Sequence, residues 1–295
     1  MLTIYRSNKA EWLAEILGQE LRINPPEITE EVDIIVSTWP TSRWLSEKIS
    51  KVNNINALVK YPFPGTYLKK LVRIIIGVNP NEKDPWEKSN IVWTILELLP
   101  ELMKVKEADI IRNWKEIFEK ENGHINLNSW DLANNIAEIF DDYILYRPEI
   151  IKQWLNKKAN KTPKEISVNK NILWQEILFN LLHEKINKDP FCIQAEKAIK
   201  RLKKDDISKH DYPKNLYIYG LSSLAPLQID LIQALSKVIN IKIYLISPCN
   251  DLWQRCEARR LKFRNTWNTP PDRQWLLESP RLEAFLGRMG AEFQQ

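Results

Sequence analysis

Between Lys214 and Asn250 the chain reads KNLYIYGLSSLAPLQIDLIQALSKVINIKIYLISPCN, two short apolar runs around one amphipathic segment. Leu216 to Tyr219 ends at Gly220, and Ile241 to Ile246 ends at Ser247 and Pro248; both have the length and punctuation of buried strands. Between them Pro226 suits a first helical turn, and Leu227, Leu231, Leu235 and Val238 recur at helical spacing on one face. A strand, a helix and a strand joined by short connections can close only as a parallel βαβ unit. Sheets of that kind hold ligands at the carboxyl ends of their strands, which places Gly220 to Ser223 and Ser247 to Asn250 at the functional edge.

Composition narrows the class. The 295 residues include 44% hydrophobic residues and 12 Trp, enough for a folded core of two subdomains rather than a disordered chain. Lys plus Arg exceed Asp plus Glu by five, a mild basic bias that is compatible with nucleic acid without demonstrating it. Cys192, Cys249 and Cys256 form no CxxC pair, and His124, His183 and His210 are far apart, so free thiols in a reducing compartment and no zinc site are expected. No signal-peptide core precedes Leu2 to Tyr5, and no stretch reaches the length of a membrane span; a cytoplasmic protein is expected.

Leu2 to Tyr5 reads as a strand, followed by a helix to about Leu21 with Leu13, Ile16, Leu17 and Leu21 on one face and Asn8 and Glu11 as a capping pair. A nucleotide-hydrolysing P-loop would place GxxxxGK[ST] in this first strand-to-helix turn, because glycines let backbone N–H groups reach the phosphates. The turn carries Ser7, Asn8 and Lys9 instead, and the seven glycines, Gly18, Gly65, Gly77, Gly123, Gly220, Gly287 and Gly290, nowhere make that spacing. P-loop hydrolysis is not expected on this ground. After Pro25-Pro26, the run Asp33 to Thr38 reads as a strand and Trp39-Pro40 opens a helix containing Trp44, Leu45 and Ile49. Two readings stand here: Thr38, Trp39 and Arg43 as contacts for a single strand of DNA, or Thr38 as a helix cap with Trp39 and Trp44 in the core. Tyr61-Pro-Phe-Pro-Gly-Thr then leads into a helix from about Thr66 to Ile76, and Phe63 either faces outward with Thr66 or plugs the core.

From Asn79 to about Asn187 strand signals vanish. A helix is expected to begin at Asp84-Pro85 and end before Pro100, with others at Ile110 to Phe118, Ser129 to Tyr146 and Ile172 to Ile186. Glu138, Asp141 and Asp142 gather on one helical face, with Ile136, Ile139, Phe140 and Tyr143 toward the buried side. Carboxylates can accept hydrogen bonds from base edges; equally, the trio can be a solvated face paired with Arg147. Asn156 to Lys170 and Lys200 to Asp211 read as charged, exposed connections. The basic, aromatic-interleaved stretch from Trp253 to Arg264 suits either phosphate contact or an ordinary charged helix.

Taken in order, LTIYRSN, STWPTSRWL, YPFP, FDDYILYRP, YIYGLSSLAP and ISPC resemble the N-terminal part of the RecC family, the gamma subunits of exodeoxyribonuclease V (RecBCD). In superfamily-one helicases the strand before the Pro-x-Gln helix ends in an acidic pair. Here Pro226-Leu227-Gln228 is present, but Tyr219 and Gly220, or with a one-residue slip Gly220 and Leu221, stand in place of the acids and cannot hold magnesium through a carboxylate. The resemblance implies an α/β, superfamily-one helicase-like P-loop-type fold lacking the P-loop: a parallel sheet flanked by helices, with an inserted all-helical subdomain. It divides the chain into a first 1A part at 1–78, a 1B-like helical subdomain at 79–190, a return to 1A at 191–250, and a connecting segment with the start of the next subdomain at 251–295, and it implies a truncated product.

By the same resemblance the chain is a non-catalytic subunit without a cofactor of its own, ATP and Mg2+ belonging to RecB-like and RecD-like partners. Its substrates are DNA ends and single-stranded DNA in double-strand break repair. Ser37, Thr38, Trp39 and Arg43 correspond to helicase motif Ia, and Phe63 and Thr66 to motif Ib. Glu138, Asp141 and Arg147 correspond to the segment that scans the 3′ strand for Chi. Asp142 departs from the family pattern, and Ser37, Trp39 and Arg43 stand where familiar members carry Gln, Thr and Gln, changes consistent with a divergent signal or with none. A protein adaptor that makes no direct DNA contact is the alternative.

Overall fold

The computed structural model describes residues 1–27, 29–112, 127–160, 170–204 and 212–247. These form two compact units, one built from Met1–Leu71 with Asp206–Gln295 and the other from Val72–Asp205. The basic stretch from Trp253 to Arg264, the segment 251–295 and the helical expectation beyond Arg112 to Phe118 lie outside the described residues.

The strands of the first unit are β1 (Leu2–Ser7), β2 (Val32–Val36), β3 (Val59–Lys60), β4 (Asn215–Tyr219) and β5 (Asn240–Ile246); β2, β4 and β5 are largely buried apolar runs, whereas the edge strands β1 and β3 are half-buried to exposed. They form one parallel sheet in the order β1-β5-β4-β2-β3. The connecting helices are α1 (Ala10–Ile23), α2 (Trp39–Asn53), α3 (Pro64–Ile76), which runs on into the second unit, and, between β4 and β5, α10 (Pro226–Leu235).

Strand alternation sorts the core. Val32, Ile34 and Val36, Tyr217 and Tyr219, and Tyr244 point to one face and pack with Leu13, Ala14, Leu17 and Leu21 of α1 and Leu45 and Ile49 of α2. Connections from β1 to β2 and from β2 to β3 run one way along the sheet, whereas the connection from β4 to β5 runs the other. Right-handed crossovers therefore leave α10, through Leu227, Leu231, Ile232 and Leu235, on the opposite face. Gly18 lets α1 and α2 approach closely: a Cβ there would stand 3.1 Å from Val52 Cβ.

The regular elements among the described residues of the second unit are all helices. It comprises α4 (Lys88–Leu102), a 3-10 turn (Lys106–Ala108), α5 (Asp109–Arg112), α6 (Leu127–Tyr146), α7 (Pro148–Asn160), α8 (Lys170–Ile186) and α9 (Phe191–Lys203). Its core is aromatic: Phe179 packs against Trp86, Phe140 and Trp154 with ring centroids 5.1, 5.3 and 5.7 Å apart. The indole Nε1–H of buried Trp86 donates to the Lys188 carbonyl at 2.8 Å. Arg73, 9% exposed, faces Asp84 at 3.4 Å and donates to the Glu82 carbonyl, tying the end of α3 to the loop before α4.

Several boundaries differ from expectation. Helix α4 begins at Lys88, not at Asp84-Pro85, because Asp84 is spent on a turn in which its carboxylate accepts from Trp86 N at 3.1 Å. The same helix continues through Pro100 to Leu102, since a proline in the last turn breaks little and Leu98, Leu99 and Leu102 are buried. The Asn8–Glu11 cap does not form; Lys9 is the N-cap residue, and Ser7 Oγ accepts from Lys9 N at 3.1 Å. Residues 156–160 extend α7 rather than belonging to a loop, and residues 200–203 complete α9. Val238 lies past the end of α10.

Candidate functional site

Adjacent strands whose connections leave in opposite directions open a crevice at their carboxyl ends. In this sheet that divergence falls between β4, which leads toward β5, and β2, which leads toward β3. The loops that meet there are Ser37-Thr38 and the turn from Gly220 to Ala225. Gly220 has φ +66°, the left-handed region that favours glycine, and its N–H donates to the Tyr244 carbonyl at 2.9 Å. A Cβ at Gly220 would lie 3.9 Å from Thr41 Cγ2, so the β4 turn approaches the first turn of α2.

Of the two readings of the Thr38–Trp44 stretch, the cap-and-core one holds for Thr38 and Trp44 but not for Trp39. Thr38 is the N-cap of α2: its Oγ1 accepts from Thr41 N at 3.3 Å and lies 2.8 Å from Thr41 Oγ1. Trp44 packs against the core, its ring 6.2 Å from that of Tyr219. Trp39, one residue inside the helix, is 64% exposed, and Arg43, one turn on, is exposed as well. Ser37 is also exposed. Past the end of neighbouring β3, Phe63 is 44% exposed rather than plugging the core, with Thr66 exposed in the first turn of α3. Two rings, Trp39 and Phe63, thus stand in solvent at the carboxyl ends of adjacent strands.

Beneath them, Tyr67 donates its hydroxyl to Asp33 at 2.9 Å. Burial pushes the Asp33 carboxyl above the usual carboxylate range, against the pull of the Tyr67 hydrogen bond and of Lys70 and Lys60. Burial, reinforced by the Asp33 charge, raises the Tyr67 hydroxyl in turn. Sequence reasoning missed this pair; an aspartate inside an otherwise apolar strand was the available signal.

At the opposite end of the edge, a row of side chains crosses four strands in register: Tyr5, Tyr244, Tyr219 and Val36. The Tyr5 and Tyr244 rings stack at 5.0 Å and those of Tyr244 and Tyr219 at 6.2 Å. Tyr219, 1% exposed, donates its hydroxyl to the Ala10 carbonyl in the first turn of α1 at 2.6 Å. Lys9 and Asn8 are exposed, and Lys9 Nζ sits 4.1 Å from the centre of the Trp12 ring. Gly220 and buried Leu221 complete the positions singled out for missing acids. No cluster of three His, Cys, Asp or Glu suited to a metal ion occurs among the described residues, and no described helix is long and apolar enough to cross a membrane.

In the helical unit, Glu138 is exposed and pairs with Lys88 at 2.9 Å, not with Arg147. Asp141 is half-buried, whereas Asp142 and Arg147 are exposed. Ile136 and Phe140 are buried as their spacing requires, but Ile139 is 40% exposed. A ring pair not anticipated from sequence lies on α4 and α6, where exposed Trp93 and half-buried Trp130 meet edge to face at 4.9 Å. Cys192 is fully buried, and burial lifts its thiol to about 12, leaving it inert at neutral pH.

Comparison with known proteins gives a consistent result. The proteins described as RecBCD enzyme subunit RecC are 24% identical over 281 residues in Haemophilus influenzae, 25% over 261 in Escherichia coli K12 and 23% over 268 in Mycolicibacterium smegmatis. These matches cover 89%, 86% and 88% of this chain, but only 25%, 22% and 22% of those proteins, so the chain spans about a quarter of their length. The family model described as "RecC, N-terminal domain" matches residues 2–295, and the chain therefore belongs to the RecC N-terminal domain family.

Proposed function

We propose that this chain is the helicase-like but catalytically silent motor domain of a RecC-type subunit, which guides a DNA strand while RecB-like and RecD-like partners supply ATP, Mg2+ and nuclease chemistry. The sheet with 1–78 and 191–250 is its 1A subdomain, and 79–190 is the inserted 1B-like subdomain. The observation that carries the reading is the division of labour along the sheet edge. Where a P-loop enzyme keeps an acid and a glycine-rich turn, Tyr219 is buried and bonded to Ala10 at 2.6 Å. Where such a fold meets a single strand, Trp39 and Phe63 are presented to solvent.

In this reading Ser37, Thr38, Arg43 and Thr66 contact the backbone and Trp39 and Phe63 stack on bases. Within the helical unit, Glu138, Asp141 and Arg147 are candidate readers of base edges in a Chi-like signal. The complex acts on DNA ends in recombination repair.

The test is co-expression of the chain with a RecB-like subunit, then photo-crosslinking to a forked DNA end. Crosslinks at Trp39 and Phe63 support strand guidance; a complex that forms without them supports an adaptor. One feature favours that second reading. Trp12, Ile16 and Ile23 are 55%, 39% and 74% exposed and share the outer face of α1, a stripe suited to protein contact.

A further inference from the structure

The corner of the sheet formed by β2, β3 and the helices that leave them is rich in charge, and most of that charge is already matched. Glu31 pairs with Lys60 at 2.5 Å and Glu47 with Lys51 at 2.5 Å, both on the surface. Asp33 is half-buried and takes the Tyr67 hydroxyl. Two exposed cations of this corner, Arg43 and Lys70, make no ion pair among the described residues.

Their positions are not scattered. Arg43 follows Trp39 by one turn of α2. Phe63 accepts Tyr67 N at 3.0 Å through its carbonyl and so begins the first turn of α3. At 100° per residue Phe63, Thr66 and Lys70 span about 60° of the helix surface, and Tyr67, on the far side of Phe63 from them, is buried; Lys70 stands about 10 Å along the axis from Phe63. Each of two adjacent strands thus delivers a solvent-exposed ring at its carboxyl end and, farther along the helix that follows, an exposed cation outside the ion pairs, of which Lys70 feels the more distant charge of half-buried Asp33. Rings give stacking surfaces that any base can use, and cations spaced behind them track a polyanionic backbone; an acidic peptide would have little use for two exposed rings at this spacing.

We infer that Lys70 is a backbone-contacting residue for single-stranded DNA, acting with Arg43 to hold the phosphates of a strand whose bases stack on Trp39 and Phe63. The inference rests on the strand-guiding reading above and adds a residue to it.

The experiment measures binding of a fluorescein-labelled oligothymidylate to the 295-residue chain across a sodium chloride series. Each lost phosphate contact lowers the slope of log K against log salt by about 0.7 for a single strand. Lys70→Gln is expected to show that loss, Lys70→Arg to restore the slope, and Lys237→Gln, an exposed lysine after α10, to leave it unchanged. Trp39→Ala is expected to weaken binding at constant slope, because stacking releases no counterions. If Trp39→Ala weakens binding while Lys70→Gln keeps the parent slope, the inference about Lys70 is overturned and strand guidance stands. If the parent chain shows no salt-dependent binding, both fall.

Discussion

The Tyr219 hydroxyl donates to the carbonyl of Ala10 at 2.6 Å, joining the end of β4 to the first turn of α1. The phenol acts here as a structural strut. Tyr219→Phe is expected to cost about 1 kcal/mol, the net worth of one such bond, read as a shift of the urea midpoint at constant slope. Introducing the acids, Tyr219→Asp with Gly220→Glu, is expected to yield no ATP turnover and a larger loss of stability, since it buries a carboxylate and leaves the first turn of α1 without a glycine-rich loop. Appearance of ATPase activity in that variant would refute the strut.

Tyr244 is the contrasting case. It is fully buried in the same row of rings, yet its hydroxyl has no hydrogen-bond partner among the described residues, and burial pushes its ionisation far upward. Removing an unsatisfied buried hydroxyl relieves a desolvation cost, so Tyr244→Phe is expected to be neutral or stabilising by up to about 1 kcal/mol. Opposite signs for the two Tyr→Phe changes, one strand apart, are measurable in a single thermal series.

Backbone conformation supplies a third expectation. At Gly220 an added Cβ would meet only ordinary contacts at 3.9 Å, so the cost of Gly220→Ala comes from φ +66° alone, about 1–2 kcal/mol. Gly220→Asn is expected to cost less, because asparagine tolerates this region better than alanine.

Asp33 makes a prediction about pH. Its carboxyl titrates above the ordinary carboxylate value in the folded chain because burial disfavours the charge. The native state therefore binds this proton more tightly than the unfolded chain. The stabilising contribution is complete below the unfolded value and is lost as pH rises through the folded one. Asp33→Asn, which still offers an oxygen to Tyr67, is expected to remove that decline; denaturant midpoints from pH 3.5 to 7 check it. Glu20 has the opposite sign: the hydrogen bond from Lys242 holds its carboxyl below the usual value, and its contribution disappears as pH falls through the folded value.

In the helical unit, Arg73 and Asp84 are almost wholly shielded and face one another at 3.4 Å. Arg73→Met strands the carboxylate and is expected to cost about 3 kcal/mol, whereas the double change with Asp84→Asn is expected to recover part of it.

How much of this was written in the sequence depends on the kind of interaction. The βαβ unit was legible because Leu216–Tyr219 and Ile241–Ile246 are short apolar runs between turn residues, a pattern set by local chemistry. The exposed rings were half legible: the sequence marked Trp39 and Phe63, but only tertiary packing separates Trp39 in water from Trp44 against Tyr219. Helix α4 passing Pro100 was not legible, because buried leucines on both sides of the proline outweigh its local cost. The Tyr219–Ala10 and Tyr67–Asp33 bonds join residues distant along the chain, and no local pattern encodes a hydroxyl's destination.

The strand order also governs how the sheet can assemble. Ile34 of β2 pairs with Tyr217 of β4, and the entire helical unit lies between them in the chain. Closing that gap early would sacrifice the freedom of a long loop for a few backbone bonds. Helices α4 to α9 are built from nearer neighbours and gather quickly, which draws the two ends of the gap together. The central pairing of the sheet is thus expected to form late, an order that stopped-flow refolding checks. Lesions in the aromatic core around Phe179 should slow the appearance of a sheet to which Phe179 contributes no strand.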